Sequence, residues 1–328
     1  MAIHYTNKHN ISLALATFLM FDSYDYDPRP NAISATSLIR PLRQIVLTRQ
    51  NRELLKTVDI SDLVSSRMGN AIHDGCERAW KDKDNIAAAL KALGASDTAI
   101  NTVKINPVVL EEGDVPVYVE QRTERKILDF IVSGKFDLVL DGTANDYKSC
   151  SVWAYIFDSN RENYIKQGSI YKWLNPDKIT SDYINIHFIF TDWSKMKAKQ
   201  DPKRYPQLRT LTKKYPLWST EETENWIMNR LEAIAAIADS PQDQLPLCSN
   251  KELWATDTKY KYYKNPDKMT KSTKNFDTMD EAIARKANDG DAGTIVKVPG
   301  EVKACLYCPV LNICTQAKTL IAEGRLVL

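Results

Sequence analysis

The sequence predicts an α/β fold with a mixed central sheet flanked by helices, and three observations support this class. Apolar residues recur at helical spacing through the N-terminal part of the chain, whereas strand-like alternation begins near residue 115. A helical pattern at 159–174 then separates a β-hairpin from an apolar strand at 183–191. Strands that are interrupted by a helix favour a mixed sheet with helices packed on it.

Length and shifts in composition predict three regions. The 328 residues are enough for one large domain or two ordinary ones. We expect a helical N-terminal region at 1–60, a central α/β core at 61–240 and a C-terminal module at 241–328 packed on that core. Within these regions the patterns predict a buried helix at 11–21, helices at 34–51 (restarted at Pro41), 61–81, 86–93 and 220–238, strands at 115–120 and 127–132, and an extended, mobile loop at 195–216.

The charge balance and the cysteine count limit the class of protein. There are 44 basic and 42 acidic residues, a formal net charge of +2 at pH 7, so no overall positive field indicates a nucleic-acid partner. The apolar run at 11–21 is too short to cross a bilayer and no small-residue cleavage site follows it, so we expect a cytoplasmic protein without a membrane partner. The 6 cysteines then favour reduced thiols and a metal site over disulfides.

The residues at 133–150, SGKFDLVLDGTANDYKSC, have the pattern of a hairpin that carries chemistry. An Asp-Gly turn signal lies between two strands. Asp137 lies on the first strand, and Asp146 and Lys148, two apart on the second, share one face of it. Two carboxylates can bind a divalent metal ion, and an ammonium beside them can orient or deprotonate water or offset the charge of a phosphate. The alternative is an exposed ion pair of little consequence.

Three cysteines near the C-terminus have the spacing C-xx-C-xxxxx-C, at Cys305, Cys308 and Cys314. Core packing explains such a cluster poorly in a chain with few cysteines. A closed metal site needs a fourth ligand, for which Cys248 is the better candidate and Cys76 the weaker one. Spacing alone does not distinguish an iron–sulfur cluster from a zinc ion.

Four short motifs follow one another along the chain. They are Gly69-xxx-His73, Gly134-xx-Asp137, Asp146-x-Lys148 and Gln167-xxx-Tyr171. Each alone has an ordinary explanation, such as a capping histidine or a common helical spacing. Together, and in this order, they resemble the RecB-like branch of the PD-(D/E)xK nuclease superfamily, and the resemblance extends over about residues 30–318.

This resemblance implies a restriction-endonuclease-like core and a metal-dependent DNA nuclease, an exonuclease in particular, that serves DNA replication, recombination or repair. It implies an Mg2+ or Mn2+ ion bound by His73, Asp137, Asp146 and the main-chain carbonyl of Tyr147.

The same resemblance implies roles for the remaining motif residues. Lys148 would position the attacking water, and Gln167 and Tyr171 would orient the DNA strand or Lys148. Glu120 is either a further acidic ligand or, as we expect, the ion-pair partner of a nearby arginine, Arg122 or Arg125.

The cysteine spacing resembles that of the iron–sulfur members of this branch, the AddB-type and CRISPR-associated adaptation nucleases. It implies a 4Fe-4S cluster, with a four-cysteine zinc site as the alternative, held by Cys248, Cys305, Cys308 and Cys314. In those nucleases a cysteine usually precedes the first motif. This chain has Arg40-Pro41-Leu42 there, which leaves Cys248 as the substitute.

The whole chain resembles exonuclease-like proteins of tailed bacteriophages. This implies a prokaryotic host cytoplasm, DNA as single strands or duplex ends, and a helicase or a recombination or annealing protein as partner. We expect DNA to bind in a local basic groove that comprises Arg40, Arg43, Lys172 and the loop at 195–209. The rival hypothesis is a catalytically silent DNA-binding or assembly protein that keeps the nuclease fold.

Overall fold

The computed structural model describes residues 3–22 and 26–328, which form two compact units. The first holds the described residues up to Ile39 together with Lys56–Ala233, and the second holds Arg40–Leu55 and Ile234–Leu328. The helices are α1 (Leu13–Met20), α2 (Ala35–Leu38), α3 (Leu42–Gln50), α4 (Val64–Lys81), α5 (Lys83–Ala92), α6 (Asp97–Thr102), α7 (Val152–Ile156), α8 (Arg161–Leu174), α9 (Lys195–Gln200), α10 (Thr220–Ala236), α11 (Met279–Asn288) and α12 (Thr315–Ala322). The strands are β1 (His4–Thr6), β2 (Ala32–Ser34), β3 (Thr57–Asp59), β4 (Val103–Ile105), β5 (Val115–Ile127), β6 (Phe130–Leu140), β7 (Thr143–Cys150), β8 (Tyr183–Phe190), β9 (Thr210–Pro216), β10 (Lys259–Tyr263), β11 (Lys274–Phe276) and β12 (Thr294–Val298).

A seven-stranded mixed sheet forms the centre of the first unit. The strand order is β4-β5-β6-β7-β8-β9, and β2 pairs with β6 beside this path. The pairs β4–β5, β7–β8 and β2–β6 are parallel, whereas β5–β6, β6–β7 and β8–β9 are antiparallel. The predicted α/β class with a mixed sheet and flanking helices is confirmed.

The predicted hairpin at 133–150 is also confirmed. β6 and β7 run antiparallel around Asp141 and Gly142, whose φ angles are 45° and 73°. Two successive positive φ values are the signature of a tight turn that matches the twist of its flanking strands, and an Asp-Gly pair adopts it at low cost.

Helix α8 packs on β6 and β8. Its buried face includes Ile170 and Trp173, which are 0% and 1% exposed. Two glycines permit the close approach: a Cβ at Gly134 of β6 would lie 2.7 Å from Leu174 Cδ1, and one at Gly168 of α8 would lie 2.9 Å from Ile184 Cγ2. Helix α8 therefore lies close to strands β6 and β8.

Several predicted elements of the first unit are wrong. The helix at 11–21 exists as α1, but most of it is not buried: within α1 only Ala16 and Leu19 are buried, while Leu13 is 84% exposed. The region at 195–216 is not a mobile loop: it forms α9 and the edge strand β9. The strand at 115–120 is the first part of the longer β5, but the strand predicted at 127–132 spans a turn, because Ile127 ends β5 and Phe130 begins β6. In the described part of the chain, no helix has the length and apolar character needed to span a membrane.

The second unit combines two separate stretches of the chain around one apolar core. Helix α3, which Pro41 separates from α2 as predicted, contributes the buried Val46 and Leu47 to a core that also contains Leu253 and Leu320. A three-stranded antiparallel sheet, in the order β11-β10-β12, accompanies α11. Tyr262 in its central strand is fully buried. Tyr262 therefore belongs to the packed interior beside this three-stranded sheet and does not face solvent.

The structure thus groups 40–55 with the C-terminal residues, a division that differs from the predicted boundaries at 60 and 240.

Candidate functional site

The candidate site lies where β6 and β7 separate. β2 pairs with residues 131–133 of β6 and β7 pairs with residues 138–140, so within the described chain this edge of β6 has no strand partner at 134–137. The last β6–β7 pair is Leu138 with Asn145. Asp137 and Asp146 are the next residue on each strand, so the two aspartates flank the point of separation.

Three residues near this point form a candidate metal site. His73, Glu120 and Asp137 place ligand atoms within 4.8 Å of one another. Among residues 3–22 and 26–328, they form the one set of three or more potential metal ligands that lie this close together. His73 Nδ1 lies 3.1 Å from Asp137 Oδ2, which also accepts a 2.9 Å hydrogen bond from the backbone N–H of Tyr147. Two carboxylates and an imidazole suit Mg2+ or Mn2+, and the imidazole favours Mn2+.

An unusual backbone conformation places Glu120 in this group. Its φ is 53°, a left-handed value that is costly for a residue with a Cβ. The Oδ1 atom of Asn106 accepts 2.9 Å hydrogen bonds from the backbone N–H of Val119 and from Nε2 of Gln121, on either side of Glu120. Asn106 therefore supports the strand where Glu120 departs from regular geometry.

The structure gives Glu120 a partner that was not predicted. Its carboxylate lies 2.5 Å from Lys135 Nζ, whereas Arg125, one of the two predicted partners, lies 3.6 Å from Glu224. The sequence contains no signal for this arrangement except an acidic residue on the strand before the hairpin. The decisive feature is the register, which places Glu120 between the pairs Val119–Leu138 and Gln121–Phe136 and therefore opposite Asp137.

Helix α4 carries His73 and is fixed to the sheet near its C-terminal end, at Trp80. Nε1 of Trp80 donates a 3.0 Å hydrogen bond to the hydroxyl of Tyr147, and Trp80 packs against the buried cluster of Val117, Val119 and Leu138. The His73 ring meets the Tyr147 ring edge-on, with centroids 6.4 Å apart. Gly69 has no steric necessity here, since a Cβ would lie 3.6 Å from Ser149 Oγ, an ordinary contact distance.

A second set of contacts surrounds Asp146, which is 1% exposed. Its Oδ2 lies 2.5 Å from Lys148 Nζ, and its Oδ1 accepts a 2.9 Å hydrogen bond from Gln167 Nε2. The same amide nitrogen donates to the hydroxyl of Tyr171 at 2.8 Å. Gln167 and Tyr171 therefore fix the carboxylate of Asp146, whereas the sequence suggested that they orient DNA or Lys148 directly.

The protonation behaviour of these groups reflects burial and mutual charge. The hydrogen bond to Asp137 raises the pKa of His73. Burial raises the pKa of Asp146 to about 6, against the opposing effect of Lys148. Burial also acts on Lys148, but the carboxylates of Asp146 and Asp137 outweigh it and raise its pKa. Burial raises the pKa of Glu120. Burial acts to raise the pKa of Asp137, but the hydrogen bond from His73 and the nearby positive charges outweigh it and lower that pKa. The site thus keeps a charged lysine beside one carboxyl group that takes up a proton readily, that of Asp146, and one that stays ionised, that of Asp137.

The structure brings most of the predicted site residues together but not the predicted basic groove. His73, Asp137, Tyr147, Asp146, Lys148, Gln167 and Tyr171 are linked by the contacts above. Arg43 is 2% exposed, and Lys172 donates to the carbonyl of Ser181 at 3.1 Å and pairs with Asp182 at 2.7 Å. A groove that depends on Arg43 and Lys172 as exposed cations is therefore wrong.

The second unit contains the predicted cysteine site. Cys248, Cys305, Cys308 and Cys314 line one cavity of about 30 Å³, together with Arg43 and apolar side chains. Burial raises the pKa of Cys248 to about 12 and that of Cys305 to about 11. Cys248 thus joins the C-terminal triplet, whereas Cys76 belongs to α4 in the first unit.

Comparisons with known proteins provide little further information. No family model and no curated protein matches this chain. It is similar to the crystal structure of SSO0001, with 16% identity and a TM-score of 0.38, over 69% of this chain and 85% of the other. It is also similar to a phage-related exonuclease from Haemophilus somnus 129PT, with 16% identity and a TM-score of 0.27, over 63% and 93% of the two chains. Likenesses this distant carry no argument about activity.

Proposed function

We propose that this protein is a metal-dependent deoxyribonuclease, with exonuclease action on DNA, in which the His73 site binds Mn2+ or Mg2+. The observation that carries the proposal is the position of the His73–Glu120–Asp137 group beside the buried Asp146 and its half-buried partner Lys148. A fold-only role does not account for this arrangement, because it concentrates buried charge and a strained Glu120 at one point.

The proposed ligands are His73, Glu120 and Asp137, with Asp146 and the carbonyl of Tyr147 as the further ligands that the motif suggests. A divalent ion bound there would supply positive charge to a scissile phosphate and lower the pKa of water. Lys148 would orient the attacking water and offset phosphate charge. Gln167 would hold Asp146 in the orientation that keeps Lys148 in place, and Tyr171 would hold Gln167.

The proposed cofactor of the second unit is a cluster bound by Cys248, Cys305, Cys308 and Cys314. The four cysteines line one cavity, so their sulfurs can converge on one group. Their resemblance to the cysteines of the iron–sulfur nucleases favours a 4Fe-4S cluster, with a four-cysteine zinc site as the alternative. Such a group would stabilise the fold of the unit that it crosslinks.

The test is a cleavage assay on single-stranded, duplex and nicked DNA with Mn2+, with Mg2+ and with a chelator. We expect the wild-type protein to cleave DNA only with metal. Asp146→Asn and Lys148→Ala should each reduce the rate about a hundredfold or more, because the first removes a proposed metal ligand that also holds Lys148 and the second removes the group that orients the water. Asp182→Asn is the matched control, since the Asp182 side chain is 94% exposed, and it should retain the wild-type rate.

Two results would contradict the proposal. Full activity in a folded Asp146→Asn protein would remove the assignment of this site. DNA binding by the wild-type protein without cleavage under any metal condition would favour the rival, a DNA-binding protein that keeps the fold.

A further inference from the structure

The guanidinium of Arg43 is buried in the cysteine pocket. Arg43 lies on α3 and is 2% exposed. Its Nε donates to Cys314 Sγ at 3.3 Å, and its Nη2 donates to Thr315 Oγ1 at 2.7 Å. Its Nη1 donates to the carbonyls of Gln242 and Leu245 at 3.0 and 3.2 Å. The side chain is thus fixed at all three nitrogens, with one of them directed at a cysteine sulfur.

The acceptors around Arg43 are neutral. Among the described residues, no carboxylate oxygen lies within 4.0 Å of its guanidinium in an ion pair. The remaining cavity lining is largely apolar and includes Leu253, Val310 and Leu311. A buried cation without an anionic partner is costly, and hydrogen bonds to neutral groups offset only part of that cost. The pocket therefore lacks a negative charge that would offset the free-energy cost of burying the Arg43 guanidinium.

Metal-bound cysteines supply such a charge. A zinc ion and an oxidised 4Fe-4S core both have a charge of about +2. Four thiolates bound to either one leave a formal net charge of about −2. Hydrogen bonds to coordinating sulfurs and nearby charges are also the means by which proteins set the potential of such a group.

We propose that Arg43 is a positioning residue for a thiolate-bound metal group: it supplies the buried counter-charge and donates an N–H···S hydrogen bond to Cys314. This inference rests on the proposed cofactor of the second unit. It predicts that Arg43 slows the loss of the group and, for an iron–sulfur cluster, makes its reduction potential less negative, because a buried cation stabilises the more negative reduced state.

The test compares the full-length wild-type protein with Arg43→Gln and Arg43→Lys, all purified without oxygen. Arg49→Gln, which removes a charge from the same helix, is the matched control. Iron, sulfide and zinc per chain, the rate of metal loss to a chelator, and the reduction potential are measured. We expect Arg43→Gln to lose metal at least tenfold faster than Arg49→Gln and, for a cluster, to have a potential lower by about 59 mV, a tenfold change for a one-electron couple.

Arg43→Lys keeps the charge but not the planar set of donors, so we expect an intermediate rate of metal loss. If Arg43→Gln does not fold, Arg43→Lys serves as the test variant. A rate of metal loss in Arg43→Lys equal to that of the wild-type protein then overturns the inference. A folded Arg43→Gln protein with unchanged metal loss and potential, and only a lower unfolding temperature, also overturns it and makes Arg43 a structural link. A wild-type protein without metal at the cysteines instead refutes the cofactor itself.

Discussion

At the scale of single residues, the aspartates of the hairpin have different roles. Asp137 accepts hydrogen bonds from His73 and from the Tyr147 amide, which places it with the candidate metal ligands. Asp146 is held by Gln167 and Lys148, and burial raises its pKa to about 6. Two carboxyl groups of the same hairpin thus differ because Asp137 lies among the candidate metal ligands at the open strand edge, whereas Asp146 is enclosed by Gln167 and Lys148.

These pKa shifts predict that metal binding weakens in acid. The pKa of His73 is raised, and that of Asp146 is raised to about 6. As the pH falls, both groups therefore take up protons at a higher pH than an ordinary histidine or aspartate does. Bound protons compete with a metal ion, and its affinity therefore falls as the pH falls. Calorimetric titration with Mn2+ should show about tenfold weaker binding or more at pH 5.5 than at pH 7.5.

Asp146→Asn provides the control for this titration, because it removes one of the two titrating groups. Its affinity should depend less steeply on pH than that of the wild-type protein. Equal Mn2+ affinity of the wild-type protein at both pH values would show that these groups do not adjoin the bound ion.

At the scale of elements, helix α8 sets the position of Gln167 and Tyr171 through its close packing on the sheet. A Cβ at Gly168 would lie 2.7 Å from Leu217 Cδ2 and 2.9 Å from Cγ2 of Ile184, which is fully buried. A branched side chain in the middle of a core cannot move away freely, so the glycine is required by packing.

A pair of glycine substitutions tests this packing. Alanine is more favourable than glycine inside a helix by about 1 kcal/mol, so Gly75→Ala in α4, with nothing within 4 Å of its new Cβ among the described atoms, should raise the thermal unfolding midpoint. Gly168→Ala gains the same propensity but overpacks the core at a cost of about 1–3 kcal/mol, so its midpoint should fall. Midpoints that shift in the same direction for both variants would contradict the packing argument.

The elements that the sequence predicted well are those with a strong local signal. The hairpin follows from alternation and an Asp-Gly turn, and α8 and α10 follow from helical periodicity. Strand β9 lacks such a signal: its lysines at 213 and 214 resemble a solvated loop, and it is a strand because it pairs with the buried β8 at the sheet edge. Glu120 enters the site through long-range register and a left-handed φ, and neither is readable from local sequence.

At the scale of the whole molecule, the chain enters the second unit twice. Residues 40–55 belong to the second unit, to which they contribute Arg43, Val46 and Leu47. The chain then re-enters the first unit, where it forms the main sheet. A boundary placed at 241 would therefore separate the cysteines from part of their own core. Sequence proximity could not reveal this, because the apolar spacing of α3 indicates a helix without indicating which core it joins.

The most direct measurement is anomalous diffraction from crystals that are soaked in Mn2+. An ion bound between His73, Glu120 and Asp137 is the result expected of a metal-dependent nuclease site at the point where β6 and β7 separate. An active protein whose Mn2+ lies elsewhere, with these three side chains unligated, would contradict the proposed site.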